Sequence, residues 1–221
     1  MTSAAALTIL RRSSAGLPTR SRGHLLGRFL TCPFLPILDA LPRGGRVLDV
    51  GAGHGVLARL AVEHGVAAVV AVEPDLRKLG GVLRHPSIAW LCGFDNAVGG
   101  AFDAVVLCDV LYRVPRGERD RLLARLVTRL KPGGVLVVKD IDPDRRLKFA
   151  WNVLQETLAI RVLRLTLGTD QTYERRPLMM ARLERLGLVD LTVCAIDRGF
   201  PHPHVLYTAR RPAASSRPNR R

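Results

Sequence analysis

Apolar runs and amphipathic stretches alternate along this chain and set its fold class. Val47–Val50 is an apolar run interrupted by one carboxylate, Asp49, and it ends in the glycine-rich turn Gly51-Ala52-Gly53-His54-Gly55. Val56–Glu63 follows with helical spacing and stops at His64-Gly65. Val66–Val72 is apolar throughout and rich in Val, as expected of a parallel strand buried on both faces, and it stops at Glu73-Pro74. A weak, glycine-interrupted helix over Asp75–Leu83, a short strand Ile88–Leu91 and a strand Phe102–Val110 continue the alternation. Arg116–Leu130 carries Leu122, Leu123, Leu126 and Leu130 on one helical face and arginines on the other, and Lys131-Pro132-Gly133-Gly134 stops it. Val135–Val138 reads as a fifth strand, Arg145–Leu167 and Arg175–Gly187 as helices, and Leu188–Ile196 with His204–Ala209 as a closing hairpin. The alternation predicts an α/β domain.

Upstream of this series, residues 1–20 read as disordered, and His24–Leu41 as helix broken by Pro33 and Pro36, packed beside the ligand edge of the sheet. The expected organisation is a basic tail over 1–22, one domain over 23–210 and a second basic tail over 211–221. Charge sharpens this division. The net charge is +15, yet residues 1–46 hold seven arginines against Asp39 alone, and residues 198–221 hold six arginines and no acid. Basic flanks suit an anionic membrane surface or nucleic acid, although solvated arginine on a surface is the commoner outcome. Cys32, Cys92, Cys108 and Cys194 lie far apart with no C-x-x-C pair, so neither a metal site nor a disulfide framework is expected. A reducing cytoplasm is then the default compartment. The acid-free first 22 residues also resemble a transit peptide, and no uninterrupted apolar stretch would span a bilayer.

The turn after Asp49 carries the chemistry. Glycines there let the backbone take positive φ and approach a ligand, and the N–H groups of the following helix face the same spot. A dinucleotide fingerprint would place glycine where Val56 stands, and Asp49 would repel a pyrophosphate but welcome a cationic ligand. Val47–Gly55 closely resembles motif I of the class I S-adenosylmethionine-dependent methyltransferases. The passage from the Arg116–Leu130 helix through Lys131-Pro132-Gly133-Gly134 into an apolar strand resembles the same family, over about Arg46–Arg210.

That resemblance implies a Rossmann-like sheet of seven strands, mostly parallel with an antiparallel last strand, and helices on both faces. It implies S-adenosylmethionine as cofactor, held by Asp49, Gly51, Ala52, Gly53 and Gly55. Glu73, with Pro74 beside it, would clamp the ribose hydroxyls, and Asp95 with Asn96 would reach the adenine. Cys108, Asp109 and Tyr112, after the fourth strand, would face the methyl group and its acceptor. No base is set by the family pattern. If Leu188–Ile196 runs parallel to the first strand, the hairpin turn brings His202 and His204 to the ligand edge, and histidine is the natural base near neutral pH. Apolar residues around Trp151 and over Phe29–Leu38 suggest a lid and a small hydrophobic, aromatic or lipid-like acceptor. Nucleic acid is disfavoured: Cys108-Asp109-Val110-Leu111 stands where base-methylating enzymes usually carry N-P-P-Y or D-P-P-Y. The other alternative is a non-catalytic scaffold at an anionic surface, which the full set of cofactor residues opposes.

Overall fold

The computed structural model describes residues 1–94, 98–145, 148 and 172–213. Its strands are β1 (Arg46–Val50), β2 (Ala68–Glu73), β3 (Ile88–Cys92), β4 (Phe102–Cys108), β5 (Leu130–Ile141), β6 (Val189–Ala195) and β7 (His204–Arg210). They form one sheet in the order β3-β2-β1-β4-β5-β7-β6. β1 pairs in parallel with β2 and β4, β2 with β3, and β4 with β5. β7 alone is antiparallel, between β5 and β6. The chain leaves β1 towards β2 and β3, then returns to β4 on the other side. That reversal opens the sheet's C-terminal edge between β1 and β4, where ligands of such sheets bind.

Side chains on successive strand residues point to opposite faces, and the core divides accordingly. Val47, Val69, Ala71, Ala104, Val106 and Val137 pack on one face under α1 (Ser3–Ser13), α2 (Thr19–Thr31), α3 (Phe34–Asp39) and α4 (Val56–Glu63). Leu48, Val70, Val105, Leu107, Leu136 and Val138 pack on the other under α6 (Arg116–Arg129) and α7 (Arg176–Arg185). Pro36 stands in the first turn of α3, where a missing N–H is harmless, so the break falls at Cys32-Pro33 alone. The helix expected over Asp75–Leu83 shrinks to α5 (Leu76–Leu79), ending at Gly80. The fifth strand is longer than its apolar run. The helix expected over Arg145–Leu167 lies, beyond Arg145 and Lys148, outside the described residues.

The largest departure is at the N-terminus. Residues 1–20 are not disordered: α1 is capped by the Thr2 side chain, which accepts from Ala5 N–H. Ala6 and Leu10, four residues apart on one face, are buried in the core, and Arg59 of α4 donates to Ser13 Oγ at 2.8 Å. The arginines that suggested a solvated tail, Arg11 and Arg12, are exposed on the outer face, where they do not oppose that packing. No helix among the described residues is long and apolar enough to cross a membrane. Leu10→Ala should therefore cost about 2–4 kcal/mol in urea unfolding, the range for a fully buried leucine. A disordered segment would show no change.

Candidate cofactor and acceptor site

The register of β1 decides what faces the switch point. Asp49 lies between Ala71 of β2 and Val106 of β4, near the C-terminal ends of all three strands. Its side chain is buried, and its Oδ2 has no hydrogen-bond partner among the described residues. Burial, with nearby Glu73 adding to it, pushes the Asp49 carboxyl up to about 7 against the opposing effect of Arg28. An unpaired buried carboxylate is expensive, so a cationic group brought beside it would be bound strongly.

The turn beyond Asp49 is built as its glycines require. Gly51, Gly53 and Gly55 all have positive φ. Gly51 and Ala52 donate their N–H groups to Val72 O, tying the turn to β2, and Ala52 O accepts from Gly55 N–H. A Cβ on Gly55 would lie 2.5 Å from the Trp90 ring, and one on Gly51 2.6 Å from Val110, so neither position admits a side chain. Glu73 ends β2 with its carboxylate buried. Gly53 N–H donates to its Oε2 at 2.8 Å, and Lys78 Nζ and Asp75 N–H to its Oε1 at 3.0 and 3.1 Å. Oε1 is thereby filled, whereas Oε2 accepts one bond and retains a lone pair for a hydroxyl. Asp49 and Glu73 thus share one edge of the sheet. Pro74 beside them is exposed; Asp95 and Asn96 lie outside the described residues.

Across the switch point, Asp109 follows β4 with φ of 60°, uncommon for a residue with a Cβ and often a mark of functional sites. Its carboxylate is engaged on both oxygens: Lys139 Nζ donates to Oδ1 at 2.6 Å and Arg28 Nη2 to Oδ2 at 2.5 Å. Burial alone would raise its pKa, but Lys139 and Arg28 hold it well below the usual carboxylate range. Asp109 is an ionised anchor, not a free base. Cys108 packs against Cys32, and the Tyr112 hydroxyl accepts from Arg113 while its ring stacks on Tyr173.

β6 does run parallel to β1, and the hairpin turn lies on the C-terminal edge. His204 is buried there, with Nε2 bonded to Thr31 O at 2.8 Å, so that nitrogen carries the proton and Nδ1 has no partner among the described residues. Burial, then Lys139, brings its pKa down to about 3. His202 is half-buried, its Nδ1 likewise without a partner among the described residues, and its pKa is lowered by the same two causes. Arg28, Cys32 and Lys139 were not among the expected site residues. Arg28 and Cys32 belong to a helix region distant in sequence. Lys139 carried a readable signal, a lysine closing a buried strand beside the switch point. Among the described residues, Cys32, Cys108 and Asp109 have metal-ligand spacing, but Arg28 and Lys139 already occupy Asp109.

Comparison with known proteins agrees with this geometry. Residues 23–188 match the family described as methyltransferase domain. A ribosomal protein L11 methyltransferase of Pelobacter propionicus is 32% identical over 146 residues, covering 62% of this chain and 46% of the relative. A 2-methyl-6-phytyl-1,4-hydroquinone methyltransferase of Synechocystis is 33% identical over 110 residues, covering 47% of this chain and 34% of the relative. The chain thus spans under half the length of these curated relatives. Among solved structures, an S-adenosylmethionine-dependent methyltransferase from Mesorhizobium loti has the same fold, with a TM-score of 0.60 at 19% identity over 81% of this chain and 98% of that one. The cofactor implied fits the residues present: the partnerless Asp49 oxygen suits a cationic ligand, and the glycine turn brings backbone close to it.

The Asp49 shift gives a signed prediction. A carboxyl at about 7 when folded and about 3.9 when unfolded binds more protons in the folded state, so stability falls as pH rises through that window. Compared with Asp49→Asn, which cannot titrate, the cofactor-free chain should lose about 2–4 kcal/mol between pH 4 and pH 8. Parallel stability curves for the two chains would refute the assignment.

Proposed function

We propose, from the premise that the chain belongs to the methyltransferase domain family, that it transfers a methyl group from S-adenosylmethionine to a small, apolar or aromatic, lipid-like acceptor. The observation that carries the cofactor half is the partnerless Asp49 Oδ2 beside Glu73 at the switch point. The cofactor supplies an electrophilic methyl group on a sulfonium and needs little activation. The protein's share is to hold the acceptor in line and exclude water, and such positioning contributes several kcal/mol. Asp49 would balance the ligand's positive charge, Glu73 Oε2 would accept from a ribose hydroxyl, and the glycine turn would let the backbone approach.

The acceptor half rests on where apolar surface is left exposed. Leu76 follows the end of β2, Phe94 follows the end of β3, Leu30 precedes the residue that bonds His204, and Leu178 is two residues beyond Arg176, which pairs with Asp142 after β5. These four large exposed apolar side chains rim the C-terminal edge. Arg77 and Arg175, both well exposed, stand among them, and Arg11 and Arg12 are exposed on α1. An apolar rim with basic neighbours fits brief contact with an anionic membrane, from which a lipid-like acceptor could be drawn. The relative acting on a phytyl hydroquinone agrees with this acceptor class; the one acting on a ribosomal protein does not.

For an acceptor hydroxyl, His202 is the better base of the two histidines, because His204 is buried and tied to α2. His202→Gln should lower kcat about 10²-fold on such an acceptor. An unchanged rate over pH 6–9 would remove it from the chemistry. For the acceptor class, the protein is incubated with methyl-labelled S-adenosylmethionine and an extract of its source cell. Label is expected in the lipid-soluble fraction, and label confined to RNA or protein would overturn the acceptor class. Calorimetry with S-adenosylmethionine should show binding, whereas a scaffold would show no heat.

A further inference from the structure

Two cysteines separated by 76 positions in the chain meet at the edge of the site. Cys32 caps the C-terminus of α2 and Cys108 ends β4; both are buried, with their Sγ atoms 3.8 Å apart. Charge surrounds the pair. Cys32 Sγ lies 3.9 Å from Asp109 Oδ2, and Arg28 Nη2 lies 3.8 Å from Cys108 Sγ. Arg28 and Lys139 share the single carboxylate of Asp109, so this corner carries a surplus positive charge that a thiolate would neutralise. Burial opposes a thiolate at Cys32, but the Cys108 contact, Lys139 and Arg28 outweigh it and bring its pKa down to about 7. Cys108 is pushed the other way by the same contact and by burial. The pair therefore has a nucleophile and a proton-bearing partner, the division of labour in reactive dithiols.

Its position gives it leverage over the site. The His24 ring of α2 lies 4.9 Å from that of His54 in the glycine turn. Four and more residues further along, Arg28 reaches Asp109, Thr31 O meets His204, and Cys32 meets Cys108. The helix thus bridges the C-terminal edge from the cofactor turn to the ends of β4 and β7. These ties are polar or packing contacts, none of them covalent.

We infer that Cys32 and Cys108 form a redox pair whose disulfide fixes α2 across the mouth of the site and slows entry of the methyl donor. The inference rests on the proposed reading of the site. The oxidant class is a hydroperoxide. Cys32 thiolate attacks the outer peroxide oxygen, the O–O bond breaks, and the departing alkoxide or hydroxide takes a proton, leaving a sulfenic acid on Cys32. Cys108 sulfur then attacks Cys32 sulfur, the S–O bond breaks, and the hydroxide leaves as water with the Cys108 proton. The two thiols lose two electrons, and the peroxide is reduced to an alcohol, or to water, plus one water.

The test uses the full chain with the exposed Cys92 and Cys194 replaced by serine, treated with hydrogen peroxide. Peptide mapping should find Cys32 joined to Cys108, with both thiols lost and recovered on adding dithiothreitol. Cys32→Ser in the same background should give no cross-link. Stopped-flow association of S-adenosylmethionine should be at least tenfold slower for the oxidised chain and return on reduction. Both thiols still titratable, or Cys32 oxidised to a sulfinic acid with Cys108 untouched, would overturn the pair. A cross-linked chain that takes up the donor at the unoxidised rate would overturn the closure. The cross-link is read without donor, so a reduced chain that binds no S-adenosylmethionine would instead overturn the reading of the site on which closure depends.

Discussion

A carboxylate buried without a partner is the constraint around which this structure turns. Asp49 is carried by a central strand whose neighbours on both sides are apolar, and nothing among the described residues bonds its Oδ2. In isolation the arrangement is unfavourable, since burial disfavours the charged form and Glu73 adds a second acid nearby. Parallel pairing of β1 with β2 and β4 holds it in place regardless, because a one-residue slip would turn every core side chain of β1 to the wrong face. The sheet thereby maintains a local charge deficit that a cationic ligand can relieve. A pyrophosphate would worsen it, which separates this turn from a dinucleotide site more sharply than the glycine spacing does.

The other half of the edge is organised by the opposite excess. Two cations converge on Asp109, one from β5 and one from α2. Removing one partner from such a buried cluster costs more than the pair adds to stability, so the arrangement serves geometry more than stability. Its geometric effect is to fasten α2, and α1 behind it, over the donor side of the sheet. The N-terminal helices are therefore a wall of the site, joined to it through Arg28, Cys32 and the Thr31 carbonyl.

Much of this could be read from the residues, and the limits have physical causes. Strands buried on both faces carry continuous apolar runs, so β1, β2 and β4 were legible, as were the glycine turn and the acids at the ends of β1 and β2. The closing hairpin, whose β6 has no buried residue, was legible from the turn residues between its strands. α1 was not, because composition counts Arg11, Arg12 and the serines, whereas its folding is decided by Ala6 and Leu10 meeting α4. Asp109 was legible as an acid at the C-terminal edge after β4 but not as a neutralised one: its cations come from 81 positions before it and 30 after. Cys32 and Cys108 looked unrelated for the same reason, since only the crossing of α2 over β4 brings them together. Strand length was misjudged at β5, where Lys139 is fully buried although charged, because its partner and not its own hydropathy sets its burial.

The charge deficit at Asp49 can be measured through the proton it should give up. Calorimetry of S-adenosylmethionine binding near pH 7, repeated in buffers of different ionisation enthalpy, counts the protons exchanged on binding. A carboxyl held at about 7 is half protonated there and should release about half a proton to the buffer as the cation docks, a release missing from Asp49→Asn. Equal proton counts for the two chains, or binding unaffected by the substitution, would contradict the account.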